Sequence, residues 1–150
     1  MLRLFATLAL TAAAPEPPSH AVRVDLGPFL VFFDADSARL QPMARQIMDH
    51  LVQSMRLLPA TSVIAEGYDA NPGTAINNRG LACARARAAR AYLISRGIPA
   101  RRLAVRAPRT APPPPDLGPG VSASAFGRRV EFIFSAPAEI AEARRRRDRC

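Results

Sequence analysis

Lysine and tryptophan are absent from the 150 residues, and cysteine, histidine and tyrosine occur only twice each. Cys83, Cys150, His20 and His50 stand singly along the chain. They supply neither a ligand set spaced for a metal nor the cysteine framework that staples small secreted folds. Neither histidine lies in a motif that could serve a nucleophile. No nucleophile–base pair is visible, and the chain reads as a binding protein without catalytic function, cofactor or metal. The phenylalanines fall mostly in strand-like apolar runs, which leaves no stacking platform for bases and sets nucleic acid aside as a partner. No apolar run reaches the ~20 residues that a membrane-spanning helix needs.

Acidic residues are also scarce, 12 against 21 arginines, for a net charge of +9. Such a balance points to an anionic partner. The excess is uneven, because Arg144 to Arg147 and Arg149 crowd the last seven positions. The remainder is only mildly basic. The arginine run reads as a solvated tail that can touch an anionic outer-membrane surface, each arginine adding up to about 1 kcal/mol.

Taken in order, Met1 to Ala14 carries Arg3, an apolar run Leu4–Leu10 and then small residues. This is the order of a secretory signal, with cleavage placed after Ala13, so residues 1–13 are read as signal and the protein as exported to the periplasm. Residues 14–28 read as a linker with the weak alternation of an edge strand at Ala21–Leu26. Phe29–Phe33 (FLVFF) is a dense apolar run, the pattern of a buried strand. Asp34–Ala35–Asp36–Ser37 breaks it, and its two carboxylates read as turn formers and not as a metal site. Leu40, Met43, Ile47, Leu51, Met55 and Leu58 recur at helical spacing, with Pro42 in the first turn and Pro59 after the end. Thr61–Ala65 is a second strand.

Gly67 to Ile98 then gives a loop and a second helix, capped by Asn77 or Asn78 and closed by Gly97 before Pro99. Leu81, Ala82, Ala86, Ala89, Tyr92 and Leu93 share one face of that helix. Arg85 points into the middle of the same face, where a cation needs a partner, a ligand or a route to water. Cys83 lies on the opposite flank. Export permits a disulfide, but with Cys150 at the end of a mobile tail both cysteines are expected to be free thiols. Leu103–Arg106 is a third strand, residues 108–120 form a proline-rich loop, and Arg129–Phe134 is a last strand. Residues 137–150 start as a helix and end as the basic tail. The order β-α-β-α-β-β predicts an α+β fold, a two-layer sandwich with both helices on one face of a mixed sheet.

Three blocks along this pattern resemble the OmpA-like C-terminal domain, which also occurs in peptidoglycan-associated lipoproteins and flagellar stators. They are Val31–Leu40 (VFFDADSARL), Gly67–Ile98 and Arg128–Phe132 (RRVEF). In the second block Gly67, Tyr68, Gly73, Asn78, Leu81, Arg85 and Ala86 fall without a gap on the family run G-[HY]-T-D-x-x-G-x-x-x-x-N-x-x-L-S-x-x-R-A. The resemblance covers about residues 29–134, within a domain expected at 29–136, and implies the same βαβαββ fold. It also implies non-covalent binding of peptidoglycan through the diaminopimelate of the stem peptide, in the periplasm beside the outer membrane. On that implication Arg85 holds a ligand carboxylate by bidentate pairing, Asp69 is the candidate partner for the ligand amine, and Asn78 braces the loop. Asp69 stands one residue before the family's aspartate position, which is Ala70 here, and Gly127 stands where the family has asparagine. The alternative implied by these departures is a domain kept as a structural or protein-interaction module.

Overall fold

The computed structural model describes residues 29–70, 76–112, 122–146 and 150. The expected signal, the linker and edge strand of 14–28, and most of the proline-rich loop lie outside them. The elements are β1 (Phe29–Phe32), α1 (Pro42–Leu57), β2 (Ser62–Gly67), α2 (Arg79–Ser95), a 3-10 turn (Ala100–Arg102), β3 (Leu103–Arg106), α3 (Ala123–Phe126), β4 (Arg129–Ser135) and α4 (Pro137–Arg145). The predicted β-α-β-α-β-β order is present, with the short α3 added before β4 and α4 standing where residues 137–150 were expected to start as a helix.

The four strands form one sheet in the order β1-β4-β2-β3. β2 and β3 run parallel, with Val63 opposite Leu103. This is the geometry a helical crossover permits. β4 runs antiparallel between β1 and β2, pairing Val130 with Val31 and Phe132 with Ala65. Val31, Val63, Ala65, Val130 and Phe132 project to the face covered by α1 and α2 and join Met48, Leu51, Met55, Ala89 and Leu93 in one core.

α1 begins at Pro42, where a missing N–H costs nothing. Its buried stripe is Ala44, Met48, Leu51, Val52 and Met55. The stripe differs from the predicted one at its start: Met43 is 66% exposed. With the helix starting at Pro42, the seam that meets the sheet runs through Ala44, and Met43 is turned about 100° away from it. Arg102 closes the other end, donating from Nη2 to the carbonyls of Met55 and Leu58 at 2.9 and 2.8 Å and from Nε to that of Thr61 at 2.7 Å. Desolvation lowers the pKa of Arg102.

α2 meets the sheet through small residues, Ala82, Ala86 and Ala89, all fully buried. They bring its backbone so close to β2 that a Cβ on Gly67 would run into the Ala82 carbonyl. Gly97 ends α2 at φ 90°, the left-handed conformation expected of it.

A helix stands where residues 137–150 were expected to start as one, and Arg144, Arg145 and Arg146 at its end are exposed. Its inner side is docked: Ile140 and Ala143 of α4 pack on Ile64 and Ala104, on the face of the sheet opposite α1 and α2. Pro137 at the helix start and the Glu139 carboxylate, which accepts the Ala136 amide at 3.0 Å, nucleate α4. The spacing of Ile140 and Ala143 gives it an apolar stripe to bury. One expectation is corrected at the C-terminal side: the cysteines are not free thiols. Cys83 and Cys150 form a disulfide with their Cα atoms 5.4 Å apart, closing a sequence separation of 67 residues.

Candidate functional site

β2 delivers the chain to a loop at the N-terminus of α2, and every sequence-predicted site residue meets there. Arg85, on the second turn of α2, is completely buried. Its Nη1 donates to Asp69 Oδ1 at 2.7 Å and to the Tyr68 carbonyl at 3.1 Å. Its Nε donates to the Ser37 carbonyl at 2.8 Å and its Nη2 to the Asp34 carbonyl at 3.0 Å. The Phe33 ring lies 5.4 Å from the guanidinium carbon. The cation in the apolar stripe is thus satisfied by one carboxylate and three main-chain carbonyls, drawn from the loops that follow β1 and β2.

Asp69 is the exposed half of the pair, its side chain 18% accessible against 0% for Arg85. Its second oxygen accepts from Asn78 Nδ2 at 3.0 Å. The carboxylate is therefore fixed from two sides while one edge reaches solvent. Asn78 occupies the cap position of α2 but makes no side-chain bond to the helix amides. Its amide is turned to Asp69 instead.

Asn77 was not singled out for the site, yet it is the brace that holds the loop. It is 5% exposed. Its Oδ1 accepts the Asp69 amide at 2.6 Å, and its Nδ2 donates to the carbonyls of Gly67 and Pro108 at 3.2 and 2.7 Å. The only signal in the sequence was the asparagine doublet at the helix start. Asp34 and Asp36 behave as turn residues. The Asp34 carboxylate accepts from Gln41, Asp36 is left-handed at φ 52°, and the described residues contain no acidic, cysteine and histidine cluster able to hold a metal.

The far wall comes from β4. The Tyr68 amide donates to the Arg129 carbonyl at 2.8 Å and the Ala70 amide to the Gly127 carbonyl at 3.0 Å. A Cβ on Gly127 would meet the Ala70 carbonyl, so the asparagine-to-glycine departure goes with this close approach. Arg129 lies buried between the rings of Tyr68 and Phe126, its guanidinium carbon 4.2 and 3.8 Å from their centres. Its Nε donates to Glu131 at 2.6 Å and its Nη1 to the Phe126 carbonyl at 2.8 Å. Tyr68 in turn donates to Glu66 at 2.6 Å, and Glu66 also takes Arg106. Arg128 instead reaches the Phe33 carbonyl at 3.3 Å. The loop bearing Asp69 thus has a rigid floor of stacked and paired side chains.

Solved structures share this fold, and curated proteins share part of the sequence. Outer membrane protein A of Bordetella avium is 38% identical over 72 residues, 48% of this chain and 37% of that protein. The peptidoglycan-associated lipoprotein of Rhizobium meliloti is 35% identical over 99 residues, 65% of this chain and 56% of that protein. The chain therefore spans between about a third and three-fifths of the length of these relatives. The crystal structure of the peptidoglycan-associated lipoprotein from Burkholderia pseudomallei aligns with a TM-score of 0.58 at 22% identity, covering 71% of this chain and 89% of that one. The C-terminal domain of Helicobacter pylori MotB aligns with a TM-score of 0.58 at 19% identity, covering 79% and 94%. These last two establish the fold. The sequence profile of the OmpA family matches residues 32–112, more than half of the chain, and the chain belongs to that family.

Proposed function

We propose that the domain binds peptidoglycan non-covalently in the periplasm, at the outer-membrane side of the cell envelope, through the diaminopimelate of the stem peptide. The observation that carries this reading is the meeting of Asp69, Arg85 and Asn78 at the start of α2. Diaminopimelate presents an ammonium and a carboxylate on one carbon. The exposed edge of Asp69 suits the ammonium. The N-terminal end of α2 suits the carboxylate. Arg85 then acts chiefly by holding Asp69 in place, since four of its donors are already bonded within the chain.

Calorimetric titration with a soluble stem tripeptide tests this. A diaminopimelate tripeptide is expected to bind, and a lysine tripeptide, lacking the second carboxylate, to bind at least tenfold more weakly. Equal affinity for the two, or none for either, overturns the diaminopimelate assignment. One observation favours the second reading, a structural or interaction module: Arg85 is wholly enclosed. That reading predicts no heat with either tripeptide.

A further inference from the structure

Asp69 belongs to a ribbon of three short extended segments beside the start of α2. Ala70 pairs antiparallel with Asn77, and Ile76 pairs antiparallel with Thr110. The Asn78 amide donates to the Asp69 carbonyl and the Asn77 amide to the Arg109 carbonyl, both at 3.0 Å. In extended backbone successive side chains point to opposite faces. The described residues of the ribbon follow that alternation: Ala70 and Asn77 are buried, Asp69 is half-buried, and Ile76 and Asn78 are exposed. Asn78 and Asp69 meet side chain to side chain on the outer face. Ile76, two residues before Asn78, stands on that same face, about 6.6 Å further along the segment. It is 75% exposed. One apolar side chain in water is ordinary, but the position of this one is not. The other large apolar side chains open to solvent among the described residues, Phe32, Met43, Leu57, Ile94 and Ile133, lie on the long helices or the strands of the sheet. Ile76 instead shares a face with the Asp69 carboxylate. It is β-branched and held in a bridge, so it has little rotamer freedom to lose when a ligand covers it.

We propose that Ile76 is a specificity-determining residue of this site, the apolar contact for the aliphatic stem of diaminopimelate; this rests on the reading of Asp69 as the partner of the ligand ammonium. The ammonium and its carboxylate sit on the distal carbon of the amino acid, and a stem of three methylenes leads from there back to the peptide. With the ammonium on the exposed edge of Asp69, a stem laid along the ribbon passes over Ile76. Its methylenes then leave water against the isoleucine side chain, each worth about fourfold in affinity. Thr110, the cross-strand partner of Ile76, is exposed beside it and bounds the contact on the side away from Asp69. The charge pair at Asp69 reads the head of the ligand, and Ile76 reads the stem behind it.

The test is calorimetric titration of the diaminopimelate tripeptide into wild type, Ile76→Ser and Ile76→Leu at several temperatures, with circular dichroism and a urea midpoint for each protein. The exposed position predicts that all three fold alike. Ile76→Ser is expected to bind at least fourfold more weakly, about one methylene returned to water, with a less negative heat-capacity change, the mark of apolar surface left unburied. Ile76→Leu is expected to stay within about twofold of wild type, because it keeps an apolar side chain of the same size. Wild-type binding that Ile76→Ser matches in affinity and heat-capacity change overturns the proposal and leaves the placement of the ligand at Asp69 standing. A loss shared equally by Ile76→Leu overturns it too, as does a loss that comes with a lowered urea midpoint and an unchanged heat-capacity change, since each marks a structural role. Absence of binding by wild type overturns the reading of Asp69 itself, and this proposal with it.

Discussion

Asp69→Ala and Arg85→Ala remove the two halves of one ion pair, and the structure predicts unequal costs. Removing Asp69 leaves the Arg85 guanidinium fully enclosed with its three carbonyl acceptors and no counter-charge. Stranding one member of a buried pair costs about 3–5 kcal/mol. Asp69 is partly accessible, 18% by side chain, so water can enter the vacated space, and the expected loss lies near the low end, about 3 kcal/mol. Removing Arg85 strands the Asp69 carboxylate, which water can reach, but also leaves the carbonyls of Asp34, Ser37 and Tyr68 without their donor. Each buried unsatisfied acceptor costs about 1–3 kcal/mol, and a cavity the size of an arginine stem is added. Arg85→Ala should therefore destabilise by at least about 2 kcal/mol more than Asp69→Ala. Urea unfolding followed by circular dichroism reads both, with the two midpoints compared at a common slope. An Arg85→Ala protein within 1 kcal/mol of wild type would refute the reasoning, because it would mean that Arg85 is a ligand group with little part in the fold.

Other expectations follow from named contacts. Arg102→Ala removes the donor from the last carbonyls of α1 and should cost about 2–3 kcal/mol by the same urea assay, given three main-chain acceptors. Gly67→Ala forces β2 and α2 apart at the Ala82 carbonyl. It should lower the thermal midpoint by several degrees, as a loss of about 1–3 kcal/mol would. Asp49 accepts from Arg96 at 2.8 Å through both oxygens and from Tyr92 at 2.9 Å, and the hydrogen bond from Arg96 is the main cause that lowers its pKa. A carboxyl group with a depressed folded pKa binds fewer protons folded than unfolded in the intervening range. Its contribution is thus present above the unfolded value near 3.9 and lost as pH falls through the lower folded value. In acid titrations of stability, Asp49→Asn should remove that part of the slope below about pH 4 and leave the slope above pH 5 unchanged.

Much of the fold was legible because its signals are local. The FLVFF run, the proline at the start of α1 and Gly97 after α2 each specify their own geometry, and the structure has β1, α1 and the end of α2 there. Arg85 was legible as an anomaly, a cation inside an apolar stripe, although the stripe could not say that main-chain carbonyls would enclose it. Those acceptors come from Asp34, Ser37 and Tyr68, whose side chains carry no trace of the role. Asn77 was hidden by its neighbour, since either asparagine can cap a helix and only the turn of the loop decides which one braces it. The disulfide was hidden by a separation of 67 residues and by the arginine run before Cys150, which gives no sign that α4 packs on the sheet through Ile140 and Ala143. Met43 failed as a core residue because a periodic stripe fixes the face of a helix only to within about one position.

The most direct measurement is co-sedimentation with purified diaminopimelate-type peptidoglycan, comparing wild type with Asp69→Asn. The asparagine keeps one oxygen for Arg85 while removing the charge that would meet the ligand ammonium; because it also removes the counter-charge of Arg85, its folded state is verified by circular dichroism before the comparison. The account predicts that wild type pellets with the polymer, that soluble diaminopimelate tripeptide releases it, and that folded Asp69→Asn stays in the supernatant at the same concentrations. Equal pelleting of both proteins would contradict the placement of the ligand at Asp69.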